Sequence, residues 1–348
     1  MQRYRYALSL FLLLTIFVIT ACGNTSNQSN QSDPNTATPA VSTSPQASPT
    51  PETREIEHAF GKTMIPADPK RIASINLEDI LLSLEVPLVF GMSIGEGYYL
   101  NDRLAAQNIV SEIWGEQLNM EAILASQPDL IIASSAITPN DYEQLSKIAP
   151  TLAYDREDWK NTLPLIGEVL GTESQAEQVM KQYNNLADKA QQALQKANKA
   201  DKSIAFIRMT GKDFRAYFPD YVNKDTGVEW HTYPGVLYHE LGLPLDPTIA
   251  MWHKDEPNFQ NVAVSFEALP ELKADYIFVT LGGAGSTDDQ IEQAKTAFDE
   301  TAQSAVWKSI PAVKQNQVVF VNARHWISSG PIANQLKIDD VIAAFTSQ

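Results

Sequence analysis

Asn119-Met120-Glu121-Ala122-Ile123-Leu124-Ala125-Ser126-Gln127-Pro128-Asp129-Leu130-Ile131-Ile132-Ala133-Ser134 returns 146 positions later as Ser265-Phe266-Glu267-Ala268-Leu269-Pro270-Glu271-Leu272-Lys273-Ala274-Asp275-Tyr276-Ile277-Phe278-Val279-Thr280. Each copy opens on a residue able to cap a helix, passes through a short helix and a turn, reaches an Asp and ends in an apolar run of strand length. Glu, Ala and Asp stand at identical offsets in the two copies. Two similar halves with one long helix between them describe the two lobes of a clamp.

The surroundings of each copy agree with that reading. Before the first, Lys70 to Ile75 reads as a strand, Glu78 to Leu84 as a short helix and Pro87 to Gly91 as a second strand. After it come a helical stretch from Asp141 to Ile148 and a strand from Thr151 to Tyr154. Before the second copy, Lys202 to Ile207 mirrors the first strand and Gly235 to Leu241 the helix after it. A helix from about Asp288 to Phe298, a strand over Val318 to Val321 and a helix near Ile338 to Phe345 close the chain. Strands alternating with helical stretches predict mostly parallel sheets covered on both faces. Between the halves, Gly171 ends one helix and Thr172 with Gln175 reads as a capping box for the next. Ala176, Val179, Met180, Tyr183, Leu186, Ala187, Ala190, Ala193, Leu194 and Ala197 then mark one face of a helix running to about Lys199. The fold class is therefore α/β: two lobes with mostly parallel sheets flanked by helices, joined by one long helix.

Composition bounds the possibilities. The 348 residues leave room for two domains, and 44% apolar content is that of a globular protein. A net charge of −16 argues against a nucleic-acid partner, which requires clustered Lys and Arg. At the N-terminus, Arg3 and Arg5 precede an apolar segment from Leu8 to Thr20, too short to remain as a membrane span. That segment ends in Ile19-Thr20-Ala21-Cys22, and Cys22 is the only cysteine. An ordinary secretory signal with an incidental thiol is one reading. The other is a lipobox, since the segment resembles those of bacterial lipoprotein precursors, whose Cys becomes the lipidated first residue. Residues 23–53 are rich in Ser, Thr, Asn, Gln and Pro, with too few apolar side chains to bury a core. The expected layout is a signal peptide over 1–21, a disordered stalk over 22–54, an N-terminal lobe over 55–171, a connecting helix over 172–199 and a C-terminal lobe over 200–348. It places the protein outside the cytoplasm, tethered to a membrane and without disulfides.

Ligands of open parallel sheets gather beyond the carboxyl ends of the strands. That rule selects Arg156, Arg208 and Arg324, three guanidiniums suited to an anionic ligand. Tyr98, Tyr99, Trp114, Tyr217, Trp230, Trp252 and Trp326 concentrate in the same loops, and flat side chains suit a bulky, partly apolar ligand. Three histidines adjoin a Trp, as in Trp230-His231, Trp252-His253 and His325-Trp326. No spacing among them makes a bare-metal site, though one could complete the coordination of a metal that a ligand already holds. Two stretches resemble enzyme motifs. Gly91-Met92-Ser93-Ile94-Gly95 matches the nucleophile elbow of hydrolases, but the Glu96-Gly97-Tyr98-Tyr99 that follows reads as a loop and not a helix. Gly282-Gly283-Ala284-Gly285 could hold an anion on its amides but lacks dinucleotide spacing, and reads better as a ligand-facing loop.

His58-Ala59-Phe60-Gly61 with Ile65-Pro66, Asn119 to Ile132, Leu145 to Pro150 and Ser265 to Val279 together resemble the substrate-binding proteins of ABC importers for iron–siderophores and vitamin B12. The likeness runs from about Glu55 to the C-terminus, and the first phrase favours the iron–siderophore branch. What it implies is a bilobal fold with a helical hinge, a shallow cleft and small closure on binding. It also implies that Trp114 and Trp252, each ahead of a repeat Glu, are pocket aromatics, and that the Arg324 to Pro331 stretch with Trp326 is the last cleft loop. Ligand-binding candidates are then Tyr98, Tyr99, Trp114, Arg156, Arg208, Tyr217, Trp252, His253, Arg324 and Trp326. Glu121 and Glu267 would dock onto Arg residues of the two permease subunits, or merely cap their short helices. The expected function is capture of a ferric siderophore by a monomer and its delivery to an ABC permease, with no catalysis, no resident cofactor and no directly bound metal. Alternatives are cobalamin or haem, then a free divalent metal, and, from another class, an exported esterase using Ser93.

Overall fold

A computed structural model describes residues 52–348, except 110, 114–116, 212, 225–226, 347 and 348. The expected signal segment, Cys22 and nearly all of the stalk lie outside the described residues. A hairpin of β1 (Thr53–His58) and β2 (Gly61–Pro66) is the first described element, and its first strand starts just inside the expected stalk. Arg54 anchors it, donating to the main-chain carbonyl of Val169.

The N-terminal lobe then runs β3 (Ile72–Ile75), α1 (Glu78–Ser83), β4 (Leu88–Phe90), β5 (Met92–Ser93), α2 (Asn101–Ala106), β6 (Glu112–Ile113), α3 (Met120–Ala125), β7 (Leu130–Ser134), α4 (Pro139–Leu145), β8 (Thr151–Tyr154) and α5 (Trp159–Leu170). Its main sheet has the order β4-β3-β7-β8, all parallel. β3, β7 and β8 are buried along their whole length, as strands covered on both faces must be. Gly171 stops α5 in the left-handed region at φ 66°, and α6 (Glu173–Lys196) follows. Its 24 residues span about 36 Å at 1.5 Å each. The expected capping box is not formed: Thr172 makes no side-chain cap, and its Oγ1 is buried without a partner.

The C-terminal lobe comprises β9 (Ile204–Thr210), β10 (Asp213–Tyr217), β11 (Asp220–Val222), β12 (Glu229–His231), a π-helical turn over Val236–Glu240, α7 (Pro247–Asp255), β13 (Asn261–Val264), a 3-10 turn over Phe266–Glu271, β14 (Tyr276–Leu281), α8 (Asp288–Gln303), α9 (Ala305–Ser309), α10 (Pro311–Lys314), β15 (Val318–Val321), α11 (Ala323–Trp326) and α12 (Pro331–Thr346). Its main sheet, β13-β10-β9-β14-β15, is parallel across β9, β14 and β15 but antiparallel at β10 and β13. β11 and β12 form a separate two-stranded ribbon.

The repeated Asp has one job in both lobes. Asp129 accepts from the amides of Lys70 and Arg71 at 2.8 Å each. Asp275 accepts from the amide and hydroxyl of Ser203 at 2.9 and 3.0 Å. Each carboxylate thus ties the start of its own strand to the start of the neighbouring first strand, which sets their parallel register. The helical parts of the repeat differ: Asn119 caps α3 through Ala122 N at 3.1 Å, whereas Pro270 removes a donor and the second copy is 3-10.

Each lobe has an outer core of its own, around Ile75, Ile123 and Ile131 in one and Phe214, Ile249 and Trp307 in the other. A third core is shared. It runs from Ile132 and Leu152 through Tyr183, Ala190 and Leu194 of α6 to Phe206, Phe278 and Trp326, and includes Ile338 and Val341 of α12. The long helix is therefore packed along its length by both lobes.

Candidate functional site

β3 ends on Asn76, in the left-handed region at φ 64°, and β8 is followed by Arg156. The side chains meet: Arg156 Nη1 donates to Asn76 Oδ1 at 2.9 Å, while Nη2 and Nε donate to Glu157 Oε1 at 2.6 and 3.1 Å. Burial works against the Arg156 charge, but Glu157 and the nearby Tyr233 and Tyr98 outweigh it, so the guanidinium keeps its proton more firmly than usual. The other oxygen of Glu157 accepts from Ser329 in the C-terminal lobe. One cation of the N-terminal lobe is thus held beside a link to its neighbour.

The opposite wall is aromatic. Tyr233 lies 6.0 Å, ring to ring, from Tyr217, and Arg208 sits over the Tyr217 ring at 5.9 Å. Burial pushes the Tyr233 phenol up to about 12 and raises that of Tyr217, so both hydroxyls are donors at neutral pH. Tyr221 and Trp230, on the two strands of the ribbon, pack edge to face at 5.9 Å. Arg208 Nε is buried and has no hydrogen-bond partner among the described residues. An unanswered guanidinium donor beside phenols is an anion-accepting arrangement. A cavity of about 360 Å³ opens alongside, lined by Glu157, Lys160, Trp230, His231, Glu240 and Ser329. A roomier groove of about 620 Å³ lies on α5 and α6, among Pro164, Glu173, Met180 and Lys181. It carries no aromatic side chain, whereas the smaller cavity has Trp159, Trp230 and His231 and shares Glu157 with the Arg156 pair, so the smaller cavity is the better candidate.

The remaining expected ligand residues divide. Arg324 lies across Gly97, where a Cβ would come within 1.7 Å of its Cζ, and it pairs with Asp288 at 2.5 Å. Its place is the contact between lobes, although its Nε also lacks a partner among the described residues. Tyr98 is buried near Arg156, whereas the Tyr99 hydroxyl is bonded to Asp79 at 2.5 Å. Trp326 is a correction: at 0% exposure it stacks on Phe206 at 5.4 Å, and its indole N–H donates to Asp340 at 2.8 Å. The one-turn helix α11 turns it inward, so it is a core side chain and not a cleft residue. Trp252 packs against the outer C-terminal core, and His253 stacks on Phe218 at 4.7 Å with its Nε2 3.3 Å from Asp220. Trp252 thus rests on that outer core, while His253 is tied to Asp220 of β11. Trp114 lies outside the described residues.

Sequence reading passed over Tyr233, Tyr221, Asn76 and Glu157, and placed Ser329 in the last cleft loop without singling it out. The only available signal was position, since Asn76 and Glu157 also follow strand ends. The two enzyme-like stretches have a joint explanation. Ser93 is buried, donates to Asn101 Oδ1 at 2.7 Å and shares a second bond with Gly95, so neither partner is a base. A Cβ on Gly95 would come within 2.9 Å of the Gly285 carbonyl, and one on Gly285 within 2.5 Å of the Ile94 carbonyl. The glycines therefore let two loops of opposite lobes meet backbone to backbone. Glu121 and Glu267 are exposed in the first turns of their helices, with no ion pair among the described residues. Beside Glu121 a shallow hollow is formed by Met120, Leu124, Gln144 and Lys147, and Leu124 is 59% exposed.

Comparison with known proteins gives the family. The probable siderophore-binding lipoprotein YfiY of Bacillus subtilis is 27% identical over 346 residues, covering 96% of this chain and 95% of that protein. The iron(3+)-hydroxamate-binding protein YxeB of Bacillus subtilis is 26% identical, covering 94% and 92%. Among solved structures, Staphylococcus aureus SirA complexed with staphyloferrin B superposes with a TM-score of 0.69 at 27% identity, over 84% of this chain and 99% of that one. Residues 101–324 match the periplasmic binding protein family, and the chain belongs to it.

Proposed function

We propose that this chain is an extracytoplasmic binding protein, lipid-anchored through Cys22, that captures a ferric siderophore and delivers it to an ABC permease. The observation that carries the reading is the pairing of Arg156 with the Tyr217–Tyr233–Arg208 wall, two cations and a set of phenols in a body of net charge −16. No bond is made or broken. Affinity comes from guanidinium donors meeting anionic chelate oxygens and from rings covering the apolar part of the ligand. The iron arrives inside its chelator. The names of YfiY and YxeB, which refer to a siderophore and to iron(3+)-hydroxamate, support the same ligand class.

Glu121 and Glu267 are the docking points on the permease, one on each lobe, and the binding protein acts as a monomer. Titration of intrinsic tryptophan fluorescence tests the ligand, because Trp230 lines the cavity. Quenching by one or more ferric siderophores, saturating at one ligand per chain, is expected. Quenching by cobalamin or haem alone overturns the iron assignment, and hydrolysis of ester substrates abolished by Ser93→Ala overturns the binding class.

A further inference from the structure

Lys337, on α12, has 0% exposure, and its ammonium is used to capacity. Nζ donates to the Tyr233 carbonyl at 2.8 Å, the Ser328 carbonyl at 2.6 Å and Asn334 Oδ1 at 2.9 Å. An ammonium has three donors and no acceptor, so no proton is left over. Burying such a charge costs several kcal/mol, and a well-packed apolar side chain of similar volume is often neutral or stabilising. Packing alone therefore does not account for a lysine at this position.

The acceptors show what it does account for. Tyr233 carries the ring beside Arg156, and Ser328 precedes the serine whose hydroxyl binds Glu157. Lys337 thus grips the backbone of two segments that meet the Arg156–Glu157 pair. Its own platform is fixed. Asp79 of the opposite lobe accepts from the amides of Ile332 and Ala333, at 2.8 and 3.0 Å, in the first turn of α12. Gly330 makes room for that carboxylate, since a Cβ there would come within 2.3 Å of Asp79 Cγ. Around the ammonium stand Asp79 on α1, Glu157 and Arg156 after β8, and Glu240 on the π-helical turn.

We propose that Lys337 is a positioning residue for ligand capture, holding the Tyr233 and Ser328–Ser329 backbone so that the Tyr233 ring and the Arg156–Glu157 pair keep the separation the chelate needs. This rests on the ferric-chelate reading of the site. Burial lowers the Lys337 pKa to about 7, so the third donor is lost across neutral pH, which supplies a signature that plain structural support lacks.

The test compares Lys337→Met, close in length and without charge, with Asp129→Ala, a destabilising control at the start of β7, the end of the sheet opposite Arg156. Affinity for a ferric siderophore that quenches the wild-type chain is measured from pH 6 to 8. Amide protection at residues 229–235 is measured without ligand. Lys337→Met weakens binding by about tenfold or more, the scale of a lost buried charged hydrogen bond. It also lowers protection at 229–235 and removes the wild-type weakening of affinity as pH rises. Asp129→Ala lowers the unfolding midpoint but leaves affinity within about twofold. Affinity of Lys337→Met within about twofold of wild type overturns the proposal, as does a loss that tracks stability equally in both variants. Should Lys337→Met fail to fold, wild-type protection factors decide: a fall at 229–235 from pH 6 to 8 supports the role, and constant values overturn it. A wild-type chain that binds no ferric siderophore refutes the ligand reading, while protection at 229–235 still reports on Lys337.

Discussion

Arg156 and Arg208 differ in how much of their hydrogen-bonding capacity is already occupied. Arg156 is held by Asn76 and Glu157, whereas Arg208 lies over the Tyr217 ring and its buried Nε has no partner among the described residues. Arg208→Met is therefore expected to weaken binding of an anionic ferric chelate about tenfold, roughly 1.4 kcal/mol, with the unfolding midpoint in urea unchanged or raised. Arg156→Met weakens binding as much and also lowers the midpoint, because Glu157 loses its cation. Parallel titration and urea unfolding separate the two effects. His239 supplies a pH prediction. Its hydrogen bond to Asp220 raises its pKa despite partial burial, while that contact holds Asp220 below its usual range against the effect of its own burial. A histidine raised in the folded state stabilises fully below its unfolded value of about 6.5, and the gain disappears as pH rises through the folded value. The stability difference between wild type and His239→Gln, read from urea midpoints, is thus largest near pH 6 and shrinks toward pH 8. At this scale Arg156 was legible from its place after a strand, whereas Arg208, chosen by the same rule, lies inside β9 two residues before its end. Tyr233 was not legible, because a Tyr before Pro-Gly reads as turn, and its approach to Arg156 is set by tertiary packing.

Secondary-structure elements carried the repeat more faithfully than helix chemistry did. Asp129 and Asp275 perform the same strand-pairing task, which is why identical offsets were a sound guide to the fold. Asp129→Ala and Asp275→Ala each should cost about 1.5–3 kcal/mol, the range for hydrogen bonds to a charged group, measured by urea unfolding. A negligible cost would mean that the register is set by the apolar faces alone. The ribbon of β11 and β12 escaped sequence reading for a physical reason. Its strands have three residues each, carry Asp220, Glu229 and His231, and show no apolar alternation. It is held from behind by His239 and His253 on Asp220, a contact between residues distant in sequence. β10 and β13 were missed similarly, and their antiparallel pairing makes the second sheet mixed.

The whole molecule couples two sheets through one core. Because α6 and α12 are packed by both lobes, and the Gly95 and Gly285 loops touch backbone to backbone, the lobes have little freedom to swing. Charge reversal by Glu121→Arg together with Glu267→Arg should abolish uptake in cells and leave ligand affinity within about twofold, since both carboxylates are exposed in the first turns of surface helices. A matching loss of affinity would show that these residues are not a docking pair.

Diffraction at the iron absorption edge from crystals grown with a bound ferric siderophore locates the metal most directly. The account predicts one anomalous peak per chain at the cavity lined by Glu157, Trp230 and Ser329, with chelate oxygens facing Arg156 and Arg208. A peak in the groove of α5 and α6, or coordinated only by protein side chains, would contradict it.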